Sequence, residues 1–456
     1  MRRTGPTAKS LSRRARGSGG GDHTVRQAFR GKVLTAIGAP RASKGAARAR
    51  GDQAYPEVEL LYIEDGLLIV EGGSVASVGP FAAGKFEGPV RDMRPCVLLP
   101  GFIDAHIHYP QTRVTGSASG ELLEWLVKTV FPEEMRFSDE LYARTVAKEF
   151  VERMLSSGTT TCAAFGSSLP RATDVLFEEL DGSGMRAIAG LTLMDQACPE
   201  ALALPRAKAV EACSDLIARW HGRDDGRLSF AITPRFAPSC SRRLMEDAAR
   251  LAADHGLFIQ THISESRAED REALAAHPYA SDYLDVYDKV GLITDRTLLA
   301  HVIHLSGSEW DRVAERGSRV VHCPDSNFFL GSGQMRMIEA RSRGIPVALG
   351  TDVAAGRSFD MRRTMASAYD TAACYGQRAS AGSVFALATL GGAEALGLEA
   401  SIGSLEPGKD ADFIAMRLPE YVEGLESVIA QVAFAGDLAC VERAFVRGRM
   451  VFSRSL

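Results

Sequence analysis

His106 and His108 close the apolar run LLPGFIDAHIH. Side chains alternate along a strand, so residues two apart leave the same face and both imidazoles can reach one ion. Taken alone, such a pair reads almost as well as two surface histidines. Three further runs change that reading. His262 stands near the end of LFIQTHISE, His301 lies in TLLAHVIH, and Asp352 lies near the end of PVALGTDV. Imidazoles and a carboxylate delivered by four separate runs to one rim match what a divalent cation needs. Three His nitrogens plus one carboxylate suit Zn²⁺ and leave a position for water. Iron could occupy the same set, because imidazole is a borderline ligand. Glu265 follows His262 by three residues. By itself it is a solvated loop acid; beside a strand end that carries an imidazole it is a candidate proton carrier.

The other histidines are assigned blander roles. His23, His221, His255 and His277 are expected in solvent, His304 in the loop after the sixth run, and His322, just before Cys323-Pro324, as a buried structural residue.

The elements that must position these groups are eight apolar runs: LLPGFIDAHIH, TTTCAAF, MRAIAGLTLM, LSFAITPRF, LFIQTHISE, TLLAHVIH, RVVHCPDSN and PVALGTDV. Amphipathic stretches such as DELYARTVAKEFVERMLSSG separate them. Eight βα units in series predict an α/β fold, a closed (β/α)8 TIM barrel, with its chemistry at the C-terminal ends of the strands. Both chain ends are β-like instead, and GSLEPGKDADFIAM and CVERAFVRGRMVF read as strands with tight turns. The expected organisation is a basic extension over 1–24, a small β-sandwich built from 25–98 and 404–456, and the barrel over 99–403.

Charge and composition narrow the classes of partner. The 456 residues carry a formal net charge of -4, so a polyanionic partner is not expected and nucleic acid is excluded. Eight cysteines without a CxxC pair read as reduced thiols of a cytoplasmic protein. No run of 18 apolar residues is present, which excludes a membrane-spanning helix. The N-terminal stretch is rich in Arg, Ser and Gly and lacks an apolar centre, so it reads as an extension rather than a secretory signal. A transit peptide or a weak electrostatic tail is the alternative.

PGFIDAHIH, GTTT, THISE, the AH of the sixth run, HCPDSN, LGTD and the closing GSLEPGKDADFI resemble the amidohydrolase superfamily, from about residue 30 to the end. More selective segments resemble its guanine deaminase branch: HIHYPQ, LLEWLVKTVFPEEMRF, TPRFAPSCS, QTHISES, HCPDSNFFLGSG and LGTDVAAGRSFDMRRTM. Asp325 departs from the commonest pattern, standing where Thr or Asn is frequent. The fourth run ends in Pro234-Arg235-Phe236 with no Lys to bridge two ions, which implies a single-metal site. The other zinc deaminase class needs HxE with PCxxC, and PCxxC is absent.

The resemblance implies hydrolytic deamination of guanine to xanthine and ammonia, one zinc ion per subunit, and a homodimer. It places His106, His108, His262 and Asp352 on the metal. Asp352 would take the proton of the attacking water, Glu265 would protonate ring N3 and then the leaving amine, and His301 would steady the attacking oxygen. Gln111 and the Arg235 fork would read the purine edge and Phe236 would stack on the ring, with His108, His262 and Glu265 also against substrate. Trp125 and Phe131 are read as helix packing. Leu330, Gly331 and Gly333 are read as a pocket wall. Two alternatives remain: a related aminohydrolase acting on 8-oxoguanine, a pterin or a triazine, or a barrel relative that lost its ligands and became a scaffold. A complete ligand set disfavours the scaffold.

Overall fold

Period-two alternation of apolar residues builds the barrel. The structure is a computed structural model and describes residues 26–38, 58–84, 86–117, 120–436 and 438–454. The basic extension and His23 lie outside the described residues. Four strands precede the barrel: β1 (Arg26–Ile37), β2 (Glu59–Glu71), β3 (Ser74–Pro80) and β4 (Val90–Pro100). The barrel strands are β5 (Phe102–His108), β6 (Thr159–Phe165), β7 (Arg186–Gly190) with its short continuation β8 (Thr192–Leu193), β9 (Leu228–Pro234), β10 (Phe258–Ile263), β11 (Thr297–His301), β12 (Arg319–His322) and β13 (Val347–Leu349). All eight apolar runs form barrel strands, paired in parallel from β5 to β13. Closure comes just beyond β13: Asp352 N donates to His106 O at 2.8 Å and His108 N donates to Val353 O at 3.2 Å.

Every second residue fills the lumen. Ile103, Ala163, Ile188, Ala231, Leu298, Val321 and Ala348 form one buried cluster. Their strand neighbours Phe102, Cys162, Ala187, Phe230, Leu299, Val320 and Leu349 join the larger core beneath the helices. The inner positions are often Ala because a lumen enclosed by eight strands has room for small side chains and little more.

The two chain ends share one seven-stranded sheet, in the order β16-β15-β14-β4-β1-β2-β3, where β14 is Phe413–Arg417, β15 is Cys440–Val446 and β16 is Arg449–Ser453. The sheet curls over its own core. The rings of Phe29 (β1), Phe413 (β14) and Phe445 (β15) lie 4.3 to 5.1 Å apart although β1 and β15 are not neighbours. Its hairpins turn at Gly72-Gly73 and Arg447-Gly448, all four at positive φ, as two-residue turns between twisted strands require. Arg186, buried at the start of β7, donates to Asp410 at 2.7 Å and Asp412 at 2.8 Å and so fastens the sheet to the barrel. All eight cysteines are free. Among the described residues no helix is long and apolar enough to cross a membrane.

Candidate metal centre and active site

A bulge in β5 aims its two histidines. Asp104 pairs with Cys162 and Ile107 with Ala164, so β5 carries one extra residue where His106 lies. The neighbouring register sets His262 opposite Ala300 and Ile263 opposite His301, which brings the His262 and His301 rings to 5.5 Å, nearly parallel. Asp352 enters from the other side of the barrel seam at φ +51, and His301 sits at φ +74. Left-handed backbone at non-glycine residues costs about 1–3 kcal/mol each and persists where the surroundings over-determine it.

The result is a convergence of lone pairs. His106 Nε2 and His108 Nε2 lie 3.2 and 3.3 Å from Asp352 Oδ1, and His108 Nε2 lies 3.1 Å from His262 Nε2. His262 Nδ1 donates to the carbonyl of Arg235 at 2.6 Å, so its Nε2 bears a lone pair toward the cluster. His301 Nδ1 donates to Asn327 Oδ1 at 2.9 Å and likewise aims Nε2 inward. His106 Nε2 and His301 Nε2 are buried without a hydrogen-bond partner among the described residues. Acceptors facing one another this closely repel unless a cation sits among them, so the donor set fits a divalent ion. The ligand atoms of His106, His262, His301 and Asp352 all lie within 4.8 Å of one another; His108, expected as a ligand, stands outside that set but within 3.1 Å of His262 Nε2 and 3.3 Å of Asp352 Oδ1. His108 makes the shorter contacts; His301 Nε2 is 3.8 Å from Asp352 Oδ2.

The two carboxyls of the site are driven apart. Burial pushes Glu265 well above the usual carboxylate range, and the charge of Asp352 adds to it. Burial opposes ionisation of Asp352 too, but the His106 and His108 imidazoles outweigh it and hold that carboxyl well below its usual range. Burial also lowers His108 to about 3 and His262 well below its ordinary value, so both rings stay neutral and able to ligate. His301 Nε2 stands between the carboxyls, 3.6 Å from Glu265 Oε2.

One cavity runs from this cluster along a wall of polar and aromatic side chains. His108, His262, Glu265 and Asp352 line it together with Gln111, Arg235, Phe236 and Trp125. Gln111 stands in the 3-10 turn Tyr109–Val114, and its Oε1 accepts from Ala354 N at 3.2 Å. Arg235 leaves the end of β9 with its guanidinium 5.3 Å from the Phe131 ring. Phe131 thus packs, and what it supports is Arg235. Trp125 packs as well, yet it also faces the cavity, and its buried indole N–H has no hydrogen-bond partner among the described residues.

Several residues that shape the site carried no signal in the sequence. Glu134, in the helical turn Phe131–Met135, pairs with Arg235 at 2.8 Å and accepts from Gln111 Nε2 at 3.3 Å. Asp104 is buried, accepts from His106 N at 3.2 Å and Thr351 N at 3.0 Å, and also accepts from the Thr351 hydroxyl, tying β5 to the Asp352 segment. Glu269 caps the helix Arg267–Ala276 through Ser266, and its Oε2 accepts from the backbone N–H of Glu265 at 2.8 Å. The FLGSG loop reaches Glu265 through the hydroxyl of Ser332 at 3.3 Å, while Leu330, Gly331 and Gly333 flank that contact. Asp325 is buried and binds Arg357 N at 2.8 Å and Arg363 at 2.9 Å, bracing the loop after Asp352. His277 corrects an expectation: it is buried, with Nε2 donating to Ala237 O at 2.8 Å, because the helix Arg267–Ala276 ends against the loop after β9. His322 is buried as expected.

A parallel barrel with imidazoles and a carboxylate gathered at its C-terminal rim defines a class. The chain belongs to the amidohydrolase family, whose model matches residues 97–451. It is 39% identical over 411 residues to the guanine deaminase of Escherichia coli (strain K12), a match covering 87% of this chain and 93% of that relative. It is 34% identical over 382 residues to the guanine deaminase of Homo sapiens, covering 78% of this chain and 84% of that relative. The crystal structure of guanine deaminase from C. acetobutylicum with bound guanine superposes with a TM-score of 0.84 at 28% identity, covering 94% of this chain and all of that one.

Proposed function

We propose that this chain is a zinc-dependent hydrolase that deaminates guanine to xanthine and ammonia in purine catabolism. The observation that carries this reading is that one cavity is lined by His108, His262, Glu265 and Asp352 and also by the trio Gln111, Arg235 and Phe236. Similarity to guanine deaminases over most of the chain supports it.

In this reading His106, His108, His262 and Asp352 hold the ion, whose contribution is to bring the pKa of a water toward about 7. Phe236 stacks on the purine, and Arg235 and Gln111 meet its O6 side, which sets C2 against the cluster. Asp352, held ionised, accepts the proton of the attacking water. Glu265, held protonated by burial, gives its proton to N3 as C2 becomes tetrahedral, then moves a proton to the departing amine. His301, between the two carboxyls, would steady the oxygen on C2 by hydrogen bond or charge once its Nε2 takes up a proton. The proposed setting is the cytoplasm. The proposed assembly is a homodimer, a reading that rests on similarity to guanine deaminases.

Incubation of the zinc-loaded protein with guanine, followed by the ultraviolet change to xanthine and by ammonia release, tests the reading. Guanine should be preferred over 8-oxoguanine, a pterin and a triazine. Faster turnover of any of these three would replace guanine as the substrate.

Arg235→Ala should raise KM for guanine roughly ten- to a hundred-fold, the worth of hydrogen bonds from a charged donor. It should also lower stability by about 3–5 kcal/mol, because Glu134 is left buried without its partner. Steady-state kinetics and denaturant unfolding check the two effects; an unchanged KM would place recognition of the purine edge elsewhere.

A further inference from the structure

The recognition wall contains a charge that a neutral purine does not call for. Arg235 and Glu134 are 4% and 3% exposed, and Arg235 Nη1 lies 3.0 and 2.8 Å from the two oxygens of Glu134. Glu134 takes only that nitrogen. Among the described residues neither Nε nor Nη2 of Arg235 has a protein hydrogen-bond acceptor, so both remain to donate to a ligand. The pair is therefore a donor fork whose charge has been cancelled.

We propose that Glu134 governs how tightly the site holds its own product, by neutralising the charge that Arg235 would otherwise present to an ionised purine. The proposal rests on the reading of the reaction as guanine deamination. That reaction replaces the amino group on C2 by a carbonyl and turns N3 from an amidine nitrogen into an N–H beside that carbonyl. Such an N–H is more acidic. Near neutral pH xanthine is partly an anion, while guanine is not. An unpaired guanidinium in a buried, weakly screened pocket favours the anion over the neutral substrate, and the enzyme would clog with product. With Glu134 in place the wall has donors and no net charge, and an anionic product gains nothing from it.

Charged and titratable neighbours are His108, His262, Glu265 and Asp352 across the cavity and the half-buried Cys198 behind the pair. On the far side of the helical turn, Glu133 is satisfied by Arg136 at 3.0 Å and by the hydroxyl of Tyr142 at 2.5 Å. Glu134→Gln leaves all of these in place. It keeps one oxygen to accept from Arg235 and Gln111, and it removes the charge together with one of the two acceptors that face Arg235 Nη1.

The test compares zinc-loaded wild type and Glu134→Gln by KM for guanine and by Ki for xanthine and hypoxanthine, at about pH 6.5 and about pH 7.8. Hypoxanthine is the neutral control: it shares the O6 edge and stays uncharged near neutrality. The variant should lower Ki for xanthine about tenfold or more relative to KM for guanine, as an uncancelled unit charge at close range implies. The gap should widen at the higher pH, and hypoxanthine should shift no more than guanine does. Parallel shifts of all three constants at both pH values would make Glu134 a geometric clamp and overturn the proposal. Should the variant fail to fold, wild type decides: its Ki for xanthine must not fall as pH rises while that for hypoxanthine holds, and a falling value overturns the proposal. Lack of guanine turnover by wild type would instead sink the underlying reaction.

Discussion

Glu265→Gln is expected to lower kcat by about a hundred- to ten-thousand-fold while the protein keeps its metal. The amide matches the carboxyl in size and still accepts from Ser332, so the cavity is preserved. What disappears is the transferable proton. The sign of the pH dependence follows from the raised pKa: the protonated acid is present below that value and is lost as pH rises through it. Wild type should therefore lose activity on the alkaline side, and Glu265→Gln should lack that limb. Zinc content by elemental analysis and kcat across pH check both halves. Turnover near the wild-type rate would remove Glu265 from the mechanism.

Asp352→Asn is expected to lower activity by about a thousand-fold or more, through a different loss. Its Oδ1 is the atom on which His106 and His108 converge, so an amide there weakens the hold on the ion as well as removing the base. Metal content should fall with activity, which separates this variant from Glu265→Gln. Stability supplies a second readout. An ion that binds only the folded state adds about 4 kcal/mol when present at a thousand times its Kd. Chelation should therefore lower the melting temperature of wild type, zinc should restore it, and Asp352→Asn should respond weakly to either. Full zinc occupancy in Asp352→Asn would exclude this carboxylate from the ligand set.

How much of this was legible in the sequence depended on whether the signal was local. The eight barrel strands were, because a buried parallel strand must be a short apolar run and turn residues bound it. His106, His108, His262, His301 and Asp352 were, because each stands at or near the end of such a run, and a barrel sends those ends to one rim. Gln111, Arg235 and Phe236 were reached through resemblance and stand on the cavity wall. Glu134 was not legible. It is one of two adjacent acids in a short helical turn with nothing local to tell them apart, and its partner is 101 residues away. His277 failed in the same way, since its acceptor, the carbonyl of Ala237, is 40 residues distant.

By itself, then, the sequence determined the barrel, its rim of metal-suited groups and the acid beside them, since alternation and strand-end position are written within a few residues. Only the tertiary structure decided which atoms face one another, how burial raises Glu265 while the imidazoles hold Asp352 down, and that Arg235 lines the cavity already paired with Glu134. Those outcomes depend on distances and desolvation between segments far apart in the chain, and no local pattern encodes them.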